Sequence, residues 1–141
     1  MDTTTPTLVR ELMTTEVVTL NRNDRLSVAE DIMSLGRIRH MPVLDEDGSV
    51  VGVMSQRDLL QGALTSVLGY GSTGRKKLMA TVLVKEVMTT DPTVVAPDTP
   101  LVEAARIMSK HKLGCLPVLD GSVLVGILTE GDFVALHAVD G

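Results

Sequence analysis

Two short segments carry the residue types that bind sugars and phosphates. Ser55-Gln56-Arg57-Asp58 and Thr129-Glu130-Gly131-Asp132 each set a hydroxyl three residues before a carboxylate. The hydroxyl suits a phosphate or ribose oxygen. The carboxylate suits the paired hydroxyls of a ribose, as acidic residues do in other nucleotide sites. Each segment opens a helical pattern, and a helix start attracts an anion. The same spacing also makes a capping box, with Asp where Glu or Gln is commoner. Both readings stand open for a single copy, and two copies in equivalent positions weigh toward a ligand. Gly52 and Gly126, three residues earlier, would let a ligand approach the backbone.

A second pair of segments adds positive charge. Arg37-Ile38-Arg39-His40-Met41-Pro42-Val43 and Lys110-His111-Lys112-Leu113-Gly114-Cys115-Leu116-Pro117-Val118 each run from a helix end into a strand. Basic side chains there complement the helix C-terminus, and the prolines mark a strand edge. Alternatively, some of the charges meet phosphate and the apolar residue before each proline meets a base. Copy two has Gly114-Cys115 where copy one has Arg39-His40, and Gly131 where copy one has Arg57. The two sites are therefore unequal, and the one faced by Arg39 and His40 suits a charged phosphate tail better.

Other chemistries find no support. His40, His111 and His137 are scattered and give no metal-ligand spacing. Gly69-x4-Gly74-Arg75-Lys76 echoes a phosphate-binding loop but lacks Lys-Ser/Thr after its second glycine and follows a helical pattern. Cys115 reads as a small core residue. There is no nucleophile with a base beside it and no acid–base pair, so no catalytic residue, metal or required cofactor is expected.

The elements that must position these residues come from a repeat. Shifted by 75 residues, positions 9–45 match positions 84–120 at 14 of 37 places. Val9 to Thr15 falls on Val84 to Thr90, and Pro42-Val43-Leu44-Asp45 on Pro117-Val118-Leu119-Asp120. Gly52 to Asp58 meets Gly126 to Asp132 at a shift of 74. Each copy reads β-α-β-β-α. The first strand is expected at Val17 to Leu20 and at Thr93 to Ala96. A one-sided helix follows, with Leu26, Ala29, Ile32 and Met33, or Leu101, Ala104, Ala105 and Met108, at helical spacing. Asp24 or Ser27, and Asp98 or Thr99, are its expected caps. Hairpins follow at Met41–Asp45 with Val50–Met54, and at Leu116–Asp120 with Val123–Leu128. Second helices begin at Ser55 and Thr129. The expected organisation is repeat 1 over 8–68, a linker over 69–82, and repeat 2 over 83–138, with a helix continuing through Ala63–Leu68 before the glycine-rich break.

One such unit is small for independent stability, so two copies are expected to pack about a pseudo-two-fold axis. The fold class is α/β (α+β). With 44% hydrophobic residues but only one Phe, one Tyr and no Trp, the core must be aliphatic. A net charge of −5 without basic runs argues against nucleic acid or an anionic membrane as partner. No run of about 18 apolar residues occurs, the first residues do not read as a signal peptide, and a single cysteine suits a reducing compartment. A cytoplasmic protein is expected.

The doubled set of Met-Thr-Thr, apolar-Pro-Val-Leu-Asp and Gly-apolar-x-Ser/Thr-x-x-Asp resembles the CBS domain (the cystathionine-β-synthase-type domain) over about residues 8–137, and in particular stand-alone bacterial pairs. The resemblance implies a regulatory module. It implies an adenine ligand (AMP, ADP or ATP, less often NAD or S-adenosylmethionine) held in composite sites that draw on both repeats. It implies ribose contacts from Asp58 and Asp132, and ribose or phosphate contacts from Ser55 and Thr129. Thr15 to Val18 and Thr90 to Val95, with Thr93 between, would line the adenine. Ile38, Arg39, His40, Met41 and Pro42, and Lys112, Cys115, Leu116 and Pro117, would lie opposite, with Arg39, His40 and Lys112 toward phosphate. It also implies a homodimer, a disc of four repeats paired head-to-head or head-to-tail, and an effector protein. The alternative is a structural dimerisation module without a ligand. The sequence leaves open which halves of the motifs meet.

Overall fold

The computed structural model describes residues 5–61, 77 and 79–140. The expected helix over 63–68, the glycine-rich break and Arg75-Lys76 lie outside the described residues. The chain forms two compact units, Val18–Pro92 and Met1–Val17 with Thr93–Gly141. These are not the two sequence repeats. The opening segment of each repeat belongs to the unit built on the other repeat.

In the Val18–Pro92 unit, β1 (Leu20–Asn21) pairs parallel with β2 (His40–Leu44), and α2 (Leu26–Gly36) makes the crossover that a parallel pair requires. A tight turn at Gly48, φ 87°, returns the chain into β3 (Val50–Ser55), antiparallel to β2. The helix α3 starts at 56 and is described to 61. After the 3-10 turn Val84–Glu86, β4 (Thr89–Thr90) pairs antiparallel with β3, giving the order β1-β2-β3-β4.

The other unit repeats this plan. It holds α1 (Val9–Leu12), α4 (Leu101–His111), β5 (Cys115–Asp120), β6 (Val123–Thr129) and α5 (Glu130–Asp140). β5 and β6 are antiparallel. Val95 bridges Val118 in parallel, and Thr14 bridges Ile127 in antiparallel fashion. The order Val95, β5, β6, Thr14 thus reproduces β1-β2-β3-β4.

Both hairpins and the starts of both second helices fall within a residue or two of their expected places. The first strands do not. Val17–Leu20 shrinks to Leu20–Asn21, and Thr93–Ala96 to the single bridge at Val95. Pro92 and Pro97 flank Val95 and cannot donate to a ladder. The Asn21 side chain accepts from the Asn23 amide at 2.8 Å, which turns the chain at once.

The expected caps of α2 and α4 are also corrected. Neither helix has a side-chain cap. Backbone carbonyls from distant segments take that place: Leu26 N–H donates to Val82 O at 3.0 Å, and Leu101 N–H to Thr7 O at 2.8 Å. Asp24 instead accepts from Asn21 N–H at 2.8 Å, and Thr99 Oγ1 from Ala96 N–H at 3.0 Å, so both fix the turn before the helix. At the other end, Arg37 and Lys112 adopt the left-handed conformation, φ 53° and 55°, that closes a helix.

Both cores are aliphatic and methionine-rich, as the composition requires. Leu26, Ala29, Met33 and Leu59 pack with Met41, Val43 and Met54 in one unit. Leu101, Ala104 and Met108 pack with Leu116, Val118 and Leu128 in the other.

Candidate functional site

In the Val18–Pro92 unit the candidate residues gather at the end of β3. Ser55 N–H donates to Asp58 Oδ2 at 2.9 Å, and Asp58 N–H donates to Ser55 Oγ at 3.0 Å. This is the reciprocal bonding of a capping box, so the structural reading of the motif holds here. It leaves capacity, because an ionised carboxylate offers about four acceptor positions. Asp58 Oδ1 has no protein partner among the described residues. The half-buried Asp58 therefore keeps an acceptor for a donor from outside.

The basic segment arrives at the same place through backbone pairing. His40 is the register partner of Ser55, and Gln56 N–H donates to Arg39 O at 2.8 Å. Arg39 is exposed and His40 half-buried. Thr89 faces Val53, about 7 Å along the strand from Ser55 and on the same face of the sheet, whereas Thr90 faces Gly52, about 10 Å away and on the opposite face. Arg39, His40, Ser55 and Asp58 are thus brought together, and Thr90 is not. Met41 and Pro42 are not: both are fully buried, with Met41 in the core. Ile38 packs against that core, and Val18 is partly exposed.

The other unit has the same frame but a different charge and hydrogen-bond state. Thr129 N–H donates to Asp132 Oδ2 at 2.9 Å, and Asp132 N–H to Thr129 Oγ1 at 3.3 Å. Thr129 Oγ1 also donates to Asp132 Oδ2 at 3.3 Å. Here Thr14 Oγ1 donates to Asp132 Oδ1 at 2.9 Å, so both carboxylate oxygens are taken. Cys115 pairs with Thr129, and Glu130 N–H donates to Gly114 O at 3.1 Å, where the first unit has His40 and Arg39. Cys115, Leu116, Pro117 and Val95 are buried, and Leu116 and Pro117 wholly so. Lys112, Thr15 and Thr93 are exposed.

The question left by the sequence, which halves of the motifs meet, is answered within each unit. The Met-Thr-Thr segment of one repeat lies on the last strand of the other. The two glycines serve this contact rather than a ligand. A Cβ on Gly52 would come within 2.6 Å of Met88 Sδ and 2.7 Å of Thr89 O. One on Gly126 would come within 2.6 Å of Met13 Sδ and 3.0 Å of Thr14 O. Thr14 was missed in the sequence reading, which chose Thr15. The Met-Thr-Thr motif was visible, but which of its threonines reaches a carboxylate depends on the bridge at Ile127. Among the described residues no cluster of His, Cys, Asp and Glu is arranged to hold a metal ion. No helix there is long and apolar enough to cross a membrane.

Known proteins match this arrangement. The CBS domain profile fits residues 9–64 and again 84–138. A CBS domain-containing protein of Dictyostelium discoideum is 32% identical over 92% of this chain and 90% of its own length. A homoserine O-acetyltransferase of Methanococcoides burtonii is 30% identical over 91% of this chain, which spans only 24% of that protein. Among solved structures, Vibrio cholerae AcuB is 40% identical, with TM-score 0.78 over 94% of this chain and 90% of that one. CBSX2 in complex with AMP is 30% identical, with TM-score 0.76 over 96% and 100%; this protein is from Arabidopsis thaliana. The CBS domain pair of MJ0100, with 5′-methylthioadenosine and S-adenosyl-L-methionine, is 25% identical, with TM-score 0.78 over 96% and 100%.

Proposed function

The chain belongs to the CBS domain family and carries the domain twice, and from that premise we propose that it is a regulatory module that binds an adenosyl ligand and has no catalytic role of its own. The observation that carries this reading is the half-satisfied Asp58. Its Oδ2 caps α3 while its Oδ1 stays open, beside His40 and Arg39. AMP bound to CBSX2 and the adenosyl compounds bound to MJ0100 supply the ligand class. In this reading Asp58 accepts from the ribose hydroxyls and Ser55 contacts ribose or phosphate. Arg39 and His40 meet the phosphates, and Thr90 remains a candidate for contact with the base. Thr15, Val18, Thr93 and Lys112 remain candidates for further contact. The buried Met41, Pro42, Val95, Cys115, Leu116 and Pro117 shape the frame instead of touching the ligand.

At Asp132 the observation favours the structural reading, since Thr14 and Thr129 already take three of the roughly four acceptor positions of its carboxylate. The ligand acts by binding two conformations of the chain unequally, and the output passes to a partner protein. Two copies of the chain associate, and the cytoplasm, where adenine nucleotides and reduced thiols coexist, is the fitting compartment. The homoserine O-acetyltransferase relative is consistent with this role, because the shared stretch is a minor part of that protein.

Thermal unfolding with AMP, ADP, ATP, NAD and S-adenosylmethionine, each against a guanosine counterpart where one exists, tests the proposal. A ligand that binds only the folded state stabilises it by about 2.7 kcal/mol at a hundred times its Kd. A selective rise in midpoint that vanishes in Asp58→Ala supports it. No shift with any of them at about millimolar concentration leaves a structural dimerisation module.

A further inference from the structure

Met13 and Met88 occupy equivalent positions in the 75-residue shift, and each lays its sulfur on a glycine of a neighbouring strand. Met13 Sδ lies 2.6 Å from where a Cβ on Gly126 would stand, and Met88 Sδ lies 2.6 Å from the same point on Gly52. Each methionine is half-buried and packs against the core of its own unit. The other methionines differ. Of the eight in the chain, Met33, Met41, Met54, Met79 and Met108 are no more than 6% exposed, and Met1 lies outside the described residues. Among the described thioethers, the two on the glycines are therefore the ones that a small oxidant in solution reaches first.

A thioether reacts directly with a peroxide. One oxygen atom passes to sulfur, two sulfur electrons go into cleaving the O–O bond, and the other oxygen leaves as water. The product is methionine sulfoxide, which is polar and carries one more heavy atom. Neither property suits the place where the sulfur rests. The space beside each glycine is already filled by the sulfur. The backbone group nearest that point is a carbonyl oxygen, of Thr14 at Gly126 and of Thr89 at Gly52. A carbonyl has no hydrogen to give a sulfoxide oxygen.

The two methionines hold down unequal structures. Beside Met88, β4 pairs with β3 over two residues, Thr89 and Thr90. Beside Met13 the N-terminal arm meets β6 at one bridge, in which Thr14 N–H donates to Ile127 O and Ile127 N–H donates to Thr14 O, both at 2.9 Å. The hydroxyl of the same residue holds Asp132 Oδ1. A single bridge with no ladder on either side opens more readily than the strands of a core. We propose that Met13 and Met88 are oxidation sites, and that peroxide conversion of Met13 to its sulfoxide releases Thr14 from Ile127 and so frees Asp132 Oδ1. Methionine sulfoxide reductases reverse the modification and close the bridge again. The release needs no ligand, so it stands apart from the nucleotide reading.

Dilute hydrogen peroxide tests it, with peptide mapping by mass spectrometry and amide exchange by NMR as the two readouts. Met13 and Met88 are expected to gain oxygen at least about tenfold faster than the five buried methionines. The Thr14 and Ile127 amides are expected to exchange at least about tenfold faster once Met13 is modified, and to regain protection after treatment with the reductases. Met13→Leu nearly conserves volume and has no sulfur to oxidise. Its two amides should stay protected in peroxide, whereas those of Met88→Leu should respond as in the wild type. If Met13→Leu loosens the bridge by itself, reversal by the reductases in the wild-type chain decides the matter. Equal oxidation of the buried methionines overturns the assignment of the sites. A Met13 sulfoxide with both amides still protected, or a peroxide-induced loss of the same size in Met13→Leu, overturns the release of Thr14.

Discussion

Thr14 Oγ1 donates to Asp132 Oδ1 at 2.9 Å, whereas Thr89, its equivalent, makes no such bond to Asp58. One hydroxyl thus separates two sites whose motifs look alike. Among the described residues Asp132 accepts three hydrogen bonds from its own chain, one of them on Oδ1, and Asp58 accepts one, on Oδ2 alone.

Removing that hydroxyl should open the second site. Thr14→Val is expected to cost about 1 kcal/mol of stability, the usual worth of one hydrogen bond. Isothermal titration with the best adenosyl ligand should give one ligand per wild-type chain and a second, weaker event in the variant. An unchanged stoichiometry would mean that Thr14 does not gate Asp132.

Capping and binding at Asp58 should separate by substitution. Ser55→Ala removes the hydroxyl that accepts from Asp58 N–H and is expected to cost about 1 kcal/mol, as lost caps do. Asp58→Asn keeps an acceptor for Ser55 N–H but loses the charge. It should unfold near the wild-type midpoint while binding the ligand at least about tenfold more weakly, a loss of roughly 1.4 kcal/mol. Equal ligand affinity in Asp58→Asn would remove the carboxylate from the binding reading.

The two close-approach glycines should differ in whether they can be rescued. Gly52→Ala and Gly126→Ala each introduce a clash with a methionine sulfur and should lose about 1–3 kcal/mol by denaturant unfolding. Met13→Ala should recover part of the loss at Gly126, where the nearest backbone oxygen lies at 3.0 Å. Met88→Ala should recover less at Gly52, where Thr89 O remains at 2.7 Å. Equal rescue at both positions would show that the backbone gives way.

In the exposed turn between β2 and β3, hydrogen bonding to the Asp45 side chain, then to the Ser49 hydroxyl and amide, lowers the Asp47 carboxyl from 3.8 to about 2. A depressed carboxyl stabilises the fold above its unfolded value and loses that effect as pH falls through its folded one. The contribution is therefore complete above about pH 4 and fades toward pH 2. Carbon-detected NMR titration of Asp47 should show a midpoint near 2, rising toward the ordinary value in Ser49→Ala. A wild-type midpoint close to 3.8 would deny the turn this role.

Much of this was legible from spacing. Leu26, Ala29 and Met33 repeat at helical intervals and are buried, and Ser55 and Asp58 sit where a helix start demands. The site was legible in its residue types but not in its state. Nothing local in Ser55 to Asp58 or Thr129 to Asp132 says that one carboxylate has a partner on both oxygens, because Thr14 lies 118 positions from Asp132. The glycines misled for the same reason: close approach was read correctly, but the approaching group is another part of the chain. The caps failed because carbonyls of Val82 and Thr7 reach α2 and α4 across long sequence separations.

The exchange of opening segments between repeats also sets the order in which the chain can be completed during synthesis. Val18–Pro92 is contiguous, so it has all its strands once Pro92 has left the ribosome. The other unit is not. Its Val9, Arg10 and Thr14 are made before that stretch, yet their partners at Thr99, Pro97, Ile127 and Asp132 are made after it. At roughly 5–20 residues per second, the N-terminal arm waits several seconds with the apolar Val9 uncovered. During that interval the arm is the part of the nascent chain most open to chaperones or to the wrong partner, and changes to Val9 or Met13 should lower the yield of folded protein more than the equivalent changes to Val84 or Met88.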